Sequence, residues 1–180
     1  MAVKEIQELT QLAYLLVCNY EFFKNILVYI KTCFWLFIPI IIFNAIFFQK
    51  LPSFYLNNIS HTVVVIETIA RIITIAFSLV MAITLDNKIG KIGLLIYIIC
   101  TLIYFSSYFI VIYFSNIVFD KNIIVLLAPY WTSVLFLIGI GLVGNKLFIN
   151  IPYHYVVYII LAIIFSTIHT YHGYLCYTQK

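Results

Sequence analysis

The sequence predicts an all-α fold: a polytopic membrane helix bundle of five transmembrane helices with an amphipathic N-terminal helix. Three observations predict it. Of 180 residues, 65% are hydrophobic and only 9% charged, whereas soluble domains carry roughly 25% charged residues. The mean hydropathy is +1.12. The apolar residues gather into five runs, each near the ~20 residues that a bilayer requires. Such a chain cannot cover itself with polar surface in water, so its expected surroundings are a lipid bilayer.

The N-terminal segment, 1–31, reads differently from the rest. Leu9, Leu12, Leu16, Tyr20, Phe23, Leu27 and Ile30 recur every three or four residues. Glu8, Gln11, Asn19, Glu21 and Lys24 fall among them. This is the pattern of an amphipathic helix lying in the membrane interface or running on into the first span. The opening "MAVKEIQELT" has acidic residues and no short apolar core before a small-residue cleavage site. The first span is therefore expected to direct insertion itself.

Residues 32–180 are expected to form the five-span bundle. The spans are read at 32–48, 62–85, 92–114, within 123–144, and 155–177. Polar linkers separate them: "QKLPSFYLNNISH", "DNKIGK", "DKN" and "NKLFINIP". Pro52 and Pro152 sit in two of these linkers, where helices should break. Pro129 is expected in the first turn of the fourth span, where its missing N–H is harmless. Residues 123–128 would then be an outer loop or re-entrant piece.

Orientation follows from the lysines in short loops. Lys4, Lys24, Lys31, Lys88, Lys91 and Lys146 fall on one side; Lys50, Lys121 and Lys180 fall on the other. This excess places the N-terminus in the cytoplasm and the C-terminus outside. The formal charge of +4 is scattered, with no basic run suited to nucleic acid. Cys18, Cys33, Cys100 and Cys176 form no C-x-x-C pair, so no metal or redox motif is read and no cofactor is expected.

The fourth span ends in "GIGLVG", residues 139–144, which matches G-x-G-x-x-G. A dinucleotide site needs that pattern after a strand and at the start of a helix. Here it closes an apolar run, and the expected role is close approach of neighbouring helices in lipid.

The candidate site begins with "VVVIETIARII", residues 63–73, which places Glu67 and Arg71 inside a greasy run. A charge at the bilayer centre costs about 2.5–3.5 kcal/mol on insertion scales. At ~1.5 Å per residue, Glu67 lies roughly 8 Å and Arg71 about 14 Å below the start of their span. Their i, i+4 spacing, with Glu first, suits an ion pair on one helix face. Thr74, Ser78 and Ala82 continue that face, which should look at the bundle interior or a wet cavity. In the third span Tyr97, Thr101, Tyr104 and Tyr108 share a side, with Ser107 close by. In the fifth, Tyr158, Ala162, Phe165, His169, His172 and Cys176 recur every three or four residues, flanked by Ser166.

The expected topology brings Glu67, Arg71, His169, His172, Tyr130 of "APYWTS" and Asn44 into the same leaflet. With Tyr104 these residues predict a polar pocket open to the non-cytoplasmic side. Two competing readings need no ligand: the Glu67–Arg71 pair fixes how spans dock, or the histidines sit in an interfacial aromatic belt with Tyr171 and Tyr174. A metal held by His169, His172 and Glu67 lacks an evident further firm ligand.

The stretch "GLLIYIICTLIYFSSYFIVIYFS", followed by "LLAPYWTSVLFLIGIGLVG", resembles a group of small uncharacterised multi-pass bacterial membrane proteins. The likeness covers the third and fourth spans. It implies placement in the bacterial inner membrane and carries over no activity or functional residue.

The function expected from these residues is a membrane component that binds or transports a small molecule or lipid headgroup in its outer-half pocket. Arg71 would meet an anionic group, and Glu67 would hold Arg71 or take a proton. His169 and His172 would line the entrance and respond to pH. The alternative is a non-catalytic structural or accessory subunit whose polar stripes pair with a membrane-protein partner. A lipid-modifying enzyme lacks a recognisable nucleophile or metal motif.

Overall fold

The computed structural model describes residues 31–51, 60–114, 122–149 and 151–178. Apart from Lys31, the expected amphipathic helix over 1–31 lies outside the described residues. The chain is mostly helical. A 3-10 turn, Cys33–Phe37, leads into α1, Ile38–Phe47. Next come α2, His61–Val80, and α3, Lys88–Tyr113. Two single-turn helices, α4 (Ile123–Leu126) and α5 (Ala128–Trp131), precede α6, Ser133–Val143. The last helix, α7, runs over Val156–Thr178.

Among the described residues three helices are long and apolar enough to cross a membrane: α2, α3 and α7, of 20, 26 and 23 residues. Their outer faces carry the lipid-facing signature. Ile69, Ile72 and Ile73 of α2, Ile92, Leu95 and Leu102 of α3, and Ile160, Ile163 and Ile164 of α7 are all exposed. Exposed apolar faces of this extent are costly in water and suited to lipid.

The expected first and fourth spans are apolar helices shorter than a full span, Cys33–Phe47 and Ala128–Val143. The fourth is broken up by its own polar side chains. Thr132 Oγ1 donates to the Ala128 carbonyl at 2.6 Å and Ser133 Oγ to the Tyr130 carbonyl at 2.7 Å. Such back-bonding bends and interrupts helices. Pro129 occupies the first turn of α5, where a missing N–H is tolerated. Residues 123–126, expected as a loop or re-entrant piece, form one helical turn capped by Asn122, whose side chain accepts from the Ile124 N–H.

The second helix is shorter than the sequence suggested. It ends at Val80, and Met81 is extended. Residues 81–85, expected as its last turn, instead join a small knot of pairing. Strand β1, Met81–Ala82, runs antiparallel to β2, Lys146–Leu147, and Ala82 bridges to Thr32. The Ile83 N–H donates to the Lys31 carbonyl at 2.7 Å and the Phe148 N–H to the Val80 carbonyl at 3.0 Å. Ala82 thus leaves the polar helix face to which the pattern had assigned it. Asn87 then caps α3 by accepting from the Gly90 N–H at 2.7 Å.

Helix α3 packs most extensively on α6, and α2 on α7. The α3–α6 contact is tight because glycine allows it. A Cβ built on Gly139 would stand 2.6 Å from the Tyr97 backbone. Backbones approach this closely only at small residues. The buried face of α3 carries Tyr97, Thr101, Tyr104, Ser107 and Tyr108, the stripe that its sequence spacing predicts. Two of these tyrosines clamp the first helical segment. The Tyr97 hydroxyl donates to the Leu36 carbonyl at 2.6 Å and the Tyr104 hydroxyl to Asn44 Oδ1 at 2.8 Å.

Candidate functional site

The polar residues of α2 and α7 meet at one end of the bundle. Glu67 is buried at 3% exposure on the α2 face that packs against α7. A lone carboxylate there would be expensive. Three donors surround it. Arg71, one turn further along α2, bonds Oε1 through Nη2. His169 Nδ1 lies 3.0 Å from the same oxygen. His172 Nδ1 bonds the second oxygen, Oε2. The i, i+3 spacing of the two histidines on α7 presents both rings to one carboxylate.

The tautomers follow from the acceptor. An ionised carboxylate can only accept, so each imidazole carries its Nδ1 proton toward Glu67. Each Nε2 is then an acceptor with no hydrogen-bond partner among the described residues when the ring is neutral. The His169 ring also lies against two aromatic rings. Phe165 stacks on it at 5.4 Å between centroids with an interplanar angle of 13°, and Tyr130 lies 4.6 Å away. Tyr130 in turn sits on Gly173, where an added Cβ would meet its ring at 2.5 Å.

Arg71 is the contrast. Its side chain is 49% exposed, beside a carboxylate that is almost wholly enclosed. The guanidinium has five N–H donors, and among the described residues only one hydrogen bond engages them. It lines a cavity of about 300 Å³. Asn44, Thr74, Tyr104, Tyr108, Ser133 and His169 make up the rest of its polar wall, and Phe37, Ile40, Ile75, Phe136 and Leu137 contribute to its apolar wall. Two of the polar groups already have hydrogen-bond partners. Thr74 Oγ1 donates to the Ala70 carbonyl at 2.8 Å, and Asn44 Oδ1 accepts from Tyr104. What Asn44 has left for the cavity is its amide N–H₂. Arg71 and the Asn44 amide thus offer donors to the cavity, while Thr74 and a neutral His169 Nε2 offer lone pairs; the positive charge of Arg71 suits a ligand with an anionic group.

Of the residues singled out in the sequence, Glu67, Arg71, His169 and His172 come together directly. Tyr130 packs against both histidines, at 4.6 and 6.5 Å between ring centroids. Tyr104 stands on the same cavity as Arg71, and its hydroxyl oxygen is 3.1 Å from that of Tyr108. His172, expected at an entrance beside His169, backs the far oxygen of Glu67 and is not part of the cavity wall. Among the described residues no three His, Cys, Asp or Glu side chains are grouped as metal ligands would be. Sequence reasoning missed the contact of Ser133 with Ser166, whose hydroxyls lie 2.6 Å apart and tie α6 to α7 beneath His169. Small hydroxyls in apolar runs carry no signal of which partner they will find.

No protein-family model, curated protein or solved structure matches this chain.

Proposed function

We propose that this chain is a multi-pass membrane protein that binds or transports a small molecule or lipid headgroup carrying an anionic group, in the cavity beside Arg71. The observation that carries the reading is the division of labour between two neighbouring charges. Glu67 is enclosed and triply bonded, whereas Arg71 is half open and lines a cavity that also carries the Asn44 amide. A pair kept only for docking helices would be expected to enclose both partners. The apolar wall suits a ligand with a hydrocarbon part, which matches a site reached from lipid.

The reading includes five spans, with Cys33–Phe47 and Ala128–Val143 crossing alongside α2, α3 and α7. It places the chain in the bacterial inner membrane with the N-terminus cytoplasmic and the cavity in the outer half. Lysine distribution supports the orientation, and the shared end of Glu67, His169 and Tyr130 is compatible with it.

The alternative is an accessory subunit. The exposure of Arg71 is also what an unpartnered pairing surface would leave. The two separate in one experiment. The full chain and Arg71→Gln are purified in the same detergent, and bound small molecules and lipids are extracted and identified by mass spectrometry. An anionic species held by the parent and lost from Arg71→Gln supports the pocket. Identical extracts from the two favour the accessory role.

A further inference from the structure

The Glu67 cluster has a charge balance that bears on how an anion would enter, and this inference rests on the pocket reading above. With Glu67 ionised, Arg71 protonated and both imidazoles neutral, the cluster sums to zero. Arg71 is then partly committed to Glu67. An anion added to the cavity would leave a net negative charge where the dielectric is low, which is costly.

The geometry supplies a remedy. His169 has Glu67 on its Nδ1 edge and the Phe165 and Tyr130 rings beside it, and it forms part of the cavity wall. Its Nε2 edge has no partner among the described residues. A proton taken up there makes an imidazolium whose Nδ1–H still bonds Glu67. The carboxylate is then compensated by a histidine, and the charge of Arg71 is available to the anion. A proton on His172 does the same through Oε2. We infer that the site takes up its anion together with one proton, held on the His169–His172 pair.

The surrounding groups do not offer a competing proton site near neutral pH. Helix α2 contributes Glu67 and Arg71, and α5 contributes Tyr130. Helix α3 contributes Tyr104 and Tyr108 across the cavity, and α7 contributes Cys176, one turn beyond His172. Of these types only histidine ordinarily changes charge between pH 6 and 8. The proton balance is simple: one proton leaves solvent, one N–H bond forms at an imidazole, and no covalent bond breaks.

The test uses the purified full chain in a neutral detergent. The probes are octanesulfonate and methanesulfonate, whose charge does not vary over the working pH range. Proton uptake on binding is read with a pH indicator in weakly buffered solution, and Kd is measured from pH 6 to 8.5. The expected result is uptake of close to one proton per sulfonate at pH 7.5 or above. Linkage then weakens Kd by up to about tenfold per pH unit on the alkaline side. His169→Gln combined with His172→Gln should bind weakly and without pH dependence. Sulfonate binding with no proton uptake and a flat pH profile overturns the coupling and leaves the pocket reading standing. Absence of binding by either probe at every pH overturns both. Tighter binding of octanesulfonate than methanesulfonate marks an amphiphile as the natural class; equal affinity marks a free oxyanion.

Discussion

His169 Nδ1 lies 3.0 Å from Glu67 Oε1, across 102 residues of sequence. This bond joins α2 to α7, and with His172 and Arg71 it places all the charge of the site around one enclosed carboxylate. The arrangement is asymmetric. Glu67 serves three donors, while each donor has only Glu67 in this cluster.

That asymmetry predicts unequal effects of removing the two charges. Glu67→Gln takes the shared acceptor from three donors and should destabilise the protein by about 2–4 kcal/mol, the range for breaking a buried network. Arg71→Gln leaves Glu67 with both histidines and removes a half-exposed group. Its cost should be under about 1 kcal/mol. Thermal unfolding in detergent checks both. Equal losses would mean that Arg71 is enclosed in the membrane and the cavity reading is wrong.

Gly173 predicts a way to disturb the site without touching a polar group. Its missing Cβ is what lets Tyr130 lie beside His169, since an added carbon would meet the ring at 2.5 Å. Gly173→Ala should displace Tyr130 from its place beside the His169 ring. Nitrogen-15 NMR of labelled histidine should show the His169 resonance shifted or broadened and that of His172 less affected, because Tyr130 is nearer His169. An unchanged His169 signal would refute the packing described here.

Much of this site was legible in the chain. Charges four apart in an apolar run, and histidines three apart on another, must each find an interior face, and helical phase says which neighbours share it. Tyr104 and Tyr108 followed from the same periodicity. The rest had no periodic signal to carry it. A two-residue strand pair such as Met81–Ala82 with Lys146–Leu147 is set by where three chain segments meet, whereas the apolar pattern of α2 runs on past Val80. The interruption at Thr132 depends on hydroxyls choosing carbonyls one turn back.

Gly139 and Gly141 should respond differently to the same change. An alanine Cβ at Gly139 would press on the Tyr97 backbone at 2.6 Å, whereas at Gly141 it meets side-chain atoms of Ile159 and Tyr158 at 3.0 Å. Backbone cannot yield as a side chain can. Gly139→Ala should cost about 1–3 kcal/mol through overpacking, and Gly141→Ala clearly less. Comparable melting points for the two would count against the close α3–α6 contact.

The tyrosine clamps on the first helical segment should be separable. Tyr97→Phe removes one bond to the Leu36 carbonyl, and Tyr104→Phe removes the bond that occupies Asn44 Oδ1. Each should cost about 1 kcal/mol. Tyr104→Phe should also change sulfonate affinity, because it frees Asn44 to turn its oxygen into the cavity. Tyr97→Phe should leave that affinity unchanged, since Tyr97 is not part of the cavity wall. Paired melting and binding measurements on the two variants decide it, and a loss of affinity in Tyr97→Phe alone would mislocate the site.

Orientation can be tested at the two ends of α3. Lys88 opens this helix, and Asn122 is the first described residue beyond Phe114 at its other end; both Lys88 and Asn122 are exposed. If α3 crosses the membrane in the proposed sense, Asn122→Cys should react with an impermeant maleimide on intact cells. Lys88→Cys should react only after permeabilisation, with both read as labelling above that of the parent. The reverse pattern would turn the whole bundle over. The cavity would still lie at the Asn122 end, because Tyr130 and His169 are packed together there, but it would face the cytoplasm. A proton accompanying an anion would then come from the cell interior. Labelling of both positions on intact cells would show that α3 does not cross, and the pocket would have to be reached from water on one side alone.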